Sequence, residues 1–351
     1  MAKFILSKNK VLEQYNILKN IVDSISYSIK TNINVGKILE NETDCMFSIH
    51  SLNELKYVNN KSRLMLLCQA ITKKQLYDLY ELNIKTFVVD NETDLNTILN
   101  WLNDSDKKIN LLLRWKIKEN TIHTGKHFMF GMESNVISKF ILKSNDYPQI
   151  ENIGIHFHRR TQKTSEWDLK DEIEESFSSE VLEQINMVCI GGGIPEQYKN
   201  FSENISNYVL NKIKELIEFL HKFNIKVIAE PGRFLCARPI KLECNIIGIH
   251  ENIIVVDASV YNSDTDAVFS SHLRLLIEGE VDNDWKDENG EKPNKYTIKG
   301  MTPCSLDIFR YDVKLPFNLK LGDKIIFLNA GAYNFHTDFC SLDRIETVVV
   351  D

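Results

Sequence analysis

Three segments of this chain hold residue types that can do covalent chemistry, provided the fold brings them together. Tyr27-Ser28-Ile29-Lys30-Thr31-Asn32 closes an apolar run on a lysine. Such a lysine is ordinarily a solvated strand terminus. Pointed into the mouth of a barrel it loses hydration, and its pKa falls toward the neutral amine that condenses with a carbonyl. Glu230-Pro231-Gly232-Arg233 follows the apolar run beginning at Val227. A carboxylate at the end of a buried strand is costly unless paired. A protonated ring nitrogen would pair it, and so would a simple ion pair with Arg233. Gly191-Gly192-Gly193-Ile194-Pro195 follows the run Met187–Ile190. Consecutive glycines let backbone N–H groups approach a phosphate, although an ordinary strand-to-helix turn has the same composition. The spacing is not GxGxxG, so a dinucleotide fold is not supported.

His156-Phe157-His158 has a spacing compatible with a metal. No further ligand cluster is apparent, because His336 and Cys340 lie far along the chain, and no metal is expected. A flat imidazole stacked on a ring is the better use of one of these histidines. Cys304-Ser305-Leu306-Asp307 and Gly331-Ala332-Tyr333 stand out only mildly, since a lone cysteine is normally a small core residue.

The elements that would position these residues alternate. Apolar runs at Ile25–Lys30, Cys45–Ile49, Leu64–Leu67, Thr86–Val89, Ile109–Leu113, Ile153–His158, Met187–Ile190 and Val227–Glu230 read as strands. Between them, Ser51–Asn59, Thr72–Leu82, Glu92–Asn103 and Asn204–Phe223 carry helical apolar spacing behind polar caps. This pattern predicts an α/β fold, a (β/α)8 TIM-like barrel whose catalytic residues sit at the C-terminal strand ends. Lys30, His158, the glycine turn and Glu230 all fall there. After Phe234 the texture becomes all-β, with strands expected at Leu242–Ile249, Ile253–Val256, Leu273–Glu280, Lys324–Leu328 and Glu346–Val350. The polar stretch Asp282–Lys295 reads as an exposed hairpin or loop. The expected division is a barrel over 8–235 and a β domain over 236–351, which segment 1–7 can join.

Composition bounds the function. The formal net charge of −7 argues against sequence-independent binding to nucleic acid or to an anionic membrane. The N-terminal apolar run is too short for a signal peptide, and no stretch approaches a membrane span. Seven scattered cysteines without a close pair read as reduced thiols in a cytoplasmic protein.

Taken together these segments resemble the fold-type III, alanine racemase-like enzymes that use pyridoxal 5'-phosphate (PLP), specifically the ornithine/diaminopimelate/arginine decarboxylase family. The similarity runs in order through the Tyr27–Asn32 motif, Ser51-Leu52-Asn53-Glu54-Leu55, Phe130-Gly131, Gly154–His158, Gly191–Pro195, Glu230–Arg233, Cys304 to Asp307 and Gly331-Ala332-Tyr333. The resemblance implies that Lys30 is the Schiff-base lysine, that His158 stacks on the cofactor ring and that Glu230 partners its nitrogen. It implies phosphate contacts from Gly193, Arg233 and Tyr333, further cofactor contacts from Gly191, Gly192 and Gly232, and a proton-donating Cys304 contributed across a homodimer with shared sites.

Several departures matter. Arg159-Arg160-Thr161 replaces the family's small Gly-Ser turn. Thr161 can still supply a hydroxyl, and the two arginines could meet an anionic substrate group. Asp307, a substrate-binding candidate, lies three residues after the cysteine rather than four, so the register of Cys304 shifts by one position. Ser305 stands where the ornithine and diaminopimelate enzymes have an acid that helps read the distal amine. The implied activity is removal of the α-carboxylate from an amino acid or a larger biosynthetic intermediate, such as an anionic conjugate with an aminocarboxypropyl arm. A racemase on the same fold and a non-catalytic relative are the alternatives.

Overall fold

In a computed structural model of the protein, residues 1–117, 130–160, 162, 165–270 and 273–351 are described. The chain divides into two compact units, one made of 14–195 and 205–232, the other of 1–13, 196–204 and 233–351.

The first unit is a closed parallel barrel of eight strands. Numbering from the N-terminal strand β1 (Lys3–Ser7), the barrel strands are β2 (Ser24–Ser28), β3 (Met46–Ile49), β4 (Leu64–Cys68), β5 (Thr86–Val89), β6 (Ile109–Arg114), β7 (Ile150–His156), β8 (Met187–Cys189) and β9 (Lys226–Ala229). β2 closes the ring by pairing with β9, Ser24 opposite Ile228. All eight expected strands are present. Four end earlier than their apolar runs: β2 stops at Ser28, β7 at His156, β8 at Cys189 and β9 at Ala229, leaving Lys30, His158 and Glu230 beyond the strand ends.

Met65, Val88, Leu112, Cys189 and Ile228 pack as one buried cluster drawn from five strands. The helix Glu92–Asn103 forms because Asn91 caps it, its side chain accepting from the Asp94 N–H, and because Leu95, Ile98, Leu99 and Leu102 bury one face. Thr72 and Gln75 form a capping box on Lys73–Glu81. The helix expected over Ser51–Asn59 is instead a 3-10 turn, Leu52–Tyr57, with no buried residue. Its apolar positions find no surface to cover, and Glu54 turns back to accept from the His50 N–H at 3.0 Å.

The second unit is an eight-stranded sheet. Its strands are β1, β10 (Ile240–His250), β11 (Ile253–Val256), β12 (Leu276–Ile277), β13 (Asn294–Lys299), β14 (Ile308–Leu315), β15 (Lys324–Leu328) and β16 (Glu346–Val350). β1 pairs antiparallel with β10 and parallel with β16. β12 is shorter than its apolar run because the chain turns at Gly279, φ +79°. β13 and β14 went unread in the sequence, since polar residues such as Asn294, Lys295, Arg310 and Asp312 interrupt their apolar alternation. Among the described residues no helix is long and apolar enough to cross a membrane.

Leu112→Ala should destabilise the barrel by about 2–5 kcal/mol, read as a lower urea midpoint with an unchanged slope, because the removed atoms leave a cavity among packed neighbours.

Candidate active site

Glu230 sits just past the end of β9 and is 5% exposed. Its Oε1 accepts from the Ser48 hydroxyl at 2.5 Å, and its Oε2 lies 2.7 Å from His156 Nε2. Ser48 is held in turn by Ser26, oxygen to oxygen 2.7 Å. Burial alone would push the Glu230 carboxyl up. The His156 imidazole and the Ser48 hydroxyl outweigh it and hold the group well below the ordinary carboxylate range. The barrel therefore keeps a charged carboxylate under its mouth.

The sequence offered no third ligand near His156. Barrel closure supplies two candidates, since ligand atoms of His156, Cys189 and Glu230 lie within 4.8 Å of one another. The 2.7 Å His156–Glu230 separation is that of a hydrogen bond, and Cys189 lies alongside that pair. The two histidines of the motif thus part company, His156 facing Glu230 and His158 lying beyond the strand.

His158 Nδ1 accepts a hydrogen bond from the Gly192 N–H at 3.1 Å. An accepting Nδ1 carries no proton, so the ring is the neutral Nε2–H tautomer. Desolvation agrees, pulling the imidazole down to about 3. The same bond uses the Gly192 N–H, leaving that donor unavailable to a phosphate. Gly191 and Gly193 have φ of +62° and +93°, a region that favours glycine. A Cβ on Gly191 would meet the Phe157 carbonyl oxygen at 2.3 Å, and one on Gly193 the Arg159 carbonyl oxygen at 2.6 Å. The glycine turn is therefore also a packing requirement, where one loop presses against another. Gly232 likewise lies against Thr31, whose Oγ1 would be 2.3 Å from an added Cβ and is buried without a hydrogen-bond partner among the described residues.

Lys30 stands in the 3-10 turn Ile29–Thr31, two residues beyond the strand expected to end on it. It lines a cavity of about 310 Å³ with His50, Gln69, Asp90, Arg114, Phe130 and His158 among its walls. Solvent reaches the amine through the cavity mouth, yet the walls desolvate it and lower its pKa, while Glu230 and Glu54 pull the other way. Arg114 and Asp90 pair at 3.3 Å in the wall, and the Arg114 guanidinium lies 4.9 Å from the Phe130 ring centre. Sequence reading missed Ser48, Arg114, Asp90 and His156 as functional residues. Arg114 carried a signal, a lysine-like placement at a strand's C-terminal end.

Two expectations need correction. Arg159 is not a substrate contact: its side chain is fully buried, paired with Glu172 and 4.0 Å from Glu166. The helix Leu169–Ser176, which carries Glu172, draws it away from the cavity, while Arg160 is exposed. Asp307 is fully buried and turned onto its own unit, accepting from Val260 N at 2.9 Å, Thr302 N at 3.0 Å and Thr302 Oγ1 at 2.7 Å. With no exposed surface, it presents no oxygen to a substrate amine. Thr161 lies outside the described residues.

In the sheet unit, Arg233 donates to the Tyr198 hydroxyl at 2.7 Å and pairs with Asp266 at 2.6 Å. The rings of Tyr198 and Tyr333 each lie 5.2 Å from its guanidinium. Cys304, in the same unit, is partly exposed and free, its Sγ 3.1 Å from the Tyr261 hydroxyl.

A carbonyl cofactor with a basic ring nitrogen and a phosphate fits what the barrel presents. A desolvated amine, a flat neutral imidazole and a buried ionised carboxylate meet at one mouth. Residues 8–237 match the family described as pyridoxal-dependent decarboxylase, pyridoxal binding domain, and residues 226–331 match its C-terminal sheet domain. The chain belongs to the pyridoxal-dependent decarboxylases. Its cofactor is pyridoxal 5'-phosphate, and it is a carboxy-lyase acting on an amino acid. Over 93% of its length this decarboxylase is 23% identical to an ornithine decarboxylase of Caenorhabditis elegans, covering 81% of that protein. It is 22% identical to a diaminopimelate decarboxylase of Campylobacter jejuni, with 93% and 84% covered. Among solved structures it resembles the lysine/ornithine decarboxylase of Vibrio vulnificus complexed with putrescine (TM-score 0.79, 22% identity, 100% and 94% covered). It also resembles the diaminopimelate decarboxylase of Helicobacter pylori complexed with L-lysine (TM-score 0.80, 19% identity, 100% and 92% covered).

The site predicts an acid sensitivity with a definite sign. His158 is held neutral when folded, so the unfolded chain binds its proton first. Stability should fall as pH drops from about 6.5 toward 3, at roughly 1.4 kcal/mol per pH unit for this one group. Glu230, with its folded pKa depressed, adds to the loss below about 4.5. Thermal melts of the wild type and of His158→Gln between pH 7 and 5 check this, because the variant should lack the His158 slope.

Proposed function

We propose that this decarboxylase removes the α-carboxylate of an amino-acid-like biosynthetic intermediate that carries a second anionic group, rather than of free ornithine, lysine or diaminopimelate. The observation that carries the reading is Arg114, a guanidinium set in the cavity wall with Lys30, where it can meet a carboxylate or phosphate on the substrate. Two losses of amine-reading acid support it. Ser305 follows Cys304, and Asp307 is buried on the Val260 and Thr302 donors. A diamino acid read as in the ornithine and diaminopimelate enzymes would lack its usual partner there.

Bound pyridoxal phosphate supplies the electron sink for the pair left when carbon dioxide departs. Lys30, its pKa lowered by burial, is the amine that would hold the cofactor. Glu230 would keep a proton on its ring nitrogen, the most electron-withdrawing form of that ring. His158 offers an uncharged face for stacking. Gly191, Gly193 and Gly232 of the barrel unit are assigned to the phosphate, and Cys304 to returning a proton to the substrate carbon. The exposed Met301 and Leu306, at 47% and 71%, flank Cys304 with apolar surface, which supports a homodimer that shares its sites. A cytoplasmic location belongs to the same reading.

Carbon dioxide release from a panel of free diamino acids and larger anionic conjugates tests the substrate. Conjugates should be turned over preferentially, and efficient turnover of plain ornithine or lysine refutes the assignment. Lys30→Ala should abolish the visible absorbance of the bound cofactor; a variant that stays yellow would remove Lys30 from its role.

A further inference from the structure

We infer that Tyr261 is a positioning residue for the reaction, its hydroxyl donating to Cys304 Sγ and stabilising the thiolate left when that sulfur gives up its proton. The inference rests on the reading of Cys304 as the proton donor.

The geometry is built rather than incidental. Tyr261 lies in the short helix Val260–Ser263, whose cap Ser259 accepts from the Tyr261 N–H at 3.2 Å, while Asn262 reaches back to Ser259 N at 3.0 Å. Cys304 lies in the Gly300–Asp307 loop. One carboxylate ties the two together, because Asp307 accepts from Val260 on the helix and from Thr302 on the loop. Gly300 has to be glycine for this, since a Cβ would stand 2.1 Å from Asp307 Oδ1. The Tyr261 ring packs on its other side against Phe339, ring centres 4.0 Å apart and planes 30° apart. The Asp307 clamp between helix and loop, not this ring contact, sets the hydroxyl 3.1 Å from Sγ.

When Cys304 protonates the substrate carbon, its S–H bond breaks, a C–H bond forms, and the sulfur keeps the electron pair. The Tyr261 O–H bond stays intact and its hydrogen bond to sulfur strengthens as charge develops, an interaction tighter in the transition state than before it. Solvent then restores the thiol proton. The charges around the pair agree. The Tyr261 bond lowers the Cys304 thiol, helped by the N–H groups of Leu306 and Asp307 and opposed by the Asp307 carboxylate. The bond to Cys304, then burial, then the charges of Cys304, Asp307 and Cys340 push the Tyr261 hydroxyl up to about 12.

Tyr261→Phe keeps the ring against Phe339 and removes only the donor. In the holoenzyme, iodoacetamide labelling of Cys304, followed by peptide mass across pH, should show an apparent thiol pKa shifted upward. The labelling rate at pH 7 should fall about threefold to tenfold. The alkaline limb of kcat should move to higher pH in the same direction, because the thiol stays protonated longer. Phe339→Leu, which keeps the hydroxyl, should leave the labelling pKa in place. An unshifted labelling profile in Tyr261→Phe overturns the inference, as does an equal shift in Phe339→Leu, which would assign the effect to aromatic packing. A labelling shift with an unmoved kcat profile instead overturns the assignment of Cys304 as proton donor and leaves the hydrogen bond standing.

Discussion

The barrel is organised around a negative charge that has been taken out of water. Glu230 lies beneath the cavity mouth as a carboxylate, and removing one partner from such a buried group costs on the order of 3–5 kcal/mol. Its donors come from different strands: Ser48 from β3 and His156 from β7, with Cys189 of β8 alongside. They meet only when the sheet closes and the register is kept. The charge is thus a check on the fold as well as a chemical tool. With its donors gathered on one side, the carboxylate remains available on the other, where a protonated ring nitrogen would pair with it.

The glycine turn shows how closely binding and packing are joined above that carboxylate. Gly191 accepts from the Glu230 N–H at 2.7 Å, and Gly192 donates to His158. One short turn therefore sets the tautomer of the imidazole and the position of the carboxylate together. Neutral His158 and charged Glu230 sit in the same desolvated pocket with opposite protonation preferences, because one is paired through its bare nitrogen and the other through donors. Such divergence between neighbouring titratable groups is how a single site separates its chemical roles.

In the sheet unit a second buried carboxylate does the opposite work. Asp307 gives its oxygens to backbone and hydroxyl donors of its own unit, so it fixes loops and reads no ligand. The residue type and its place after Cys304 suggested a substrate contact. Its burial and its partners made it a clamp that brings Tyr261 to the sulfur.

Much was legible in the residues alone. Apolar runs of strand length alternating with capped amphipathic helices determined the barrel, because burial on both faces of a parallel strand demands uniform hydrophobicity. Lys30, His158, the glycine turn and Glu230 were readable because strand ends are where a barrel does chemistry. Ser48 and His156 looked like ordinary strand residues, and Arg159 looked like a ligand. Their roles depend on which side chain faces which across the closed sheet, a property of register and not of local pattern. Pairings between residues as distant as Ser48 and Glu230, or Tyr261 and Cys304, arise only when long-range contacts form. Tertiary structure decided them because hydrogen bonding and desolvation act over a few ångströms, whatever the separation along the chain.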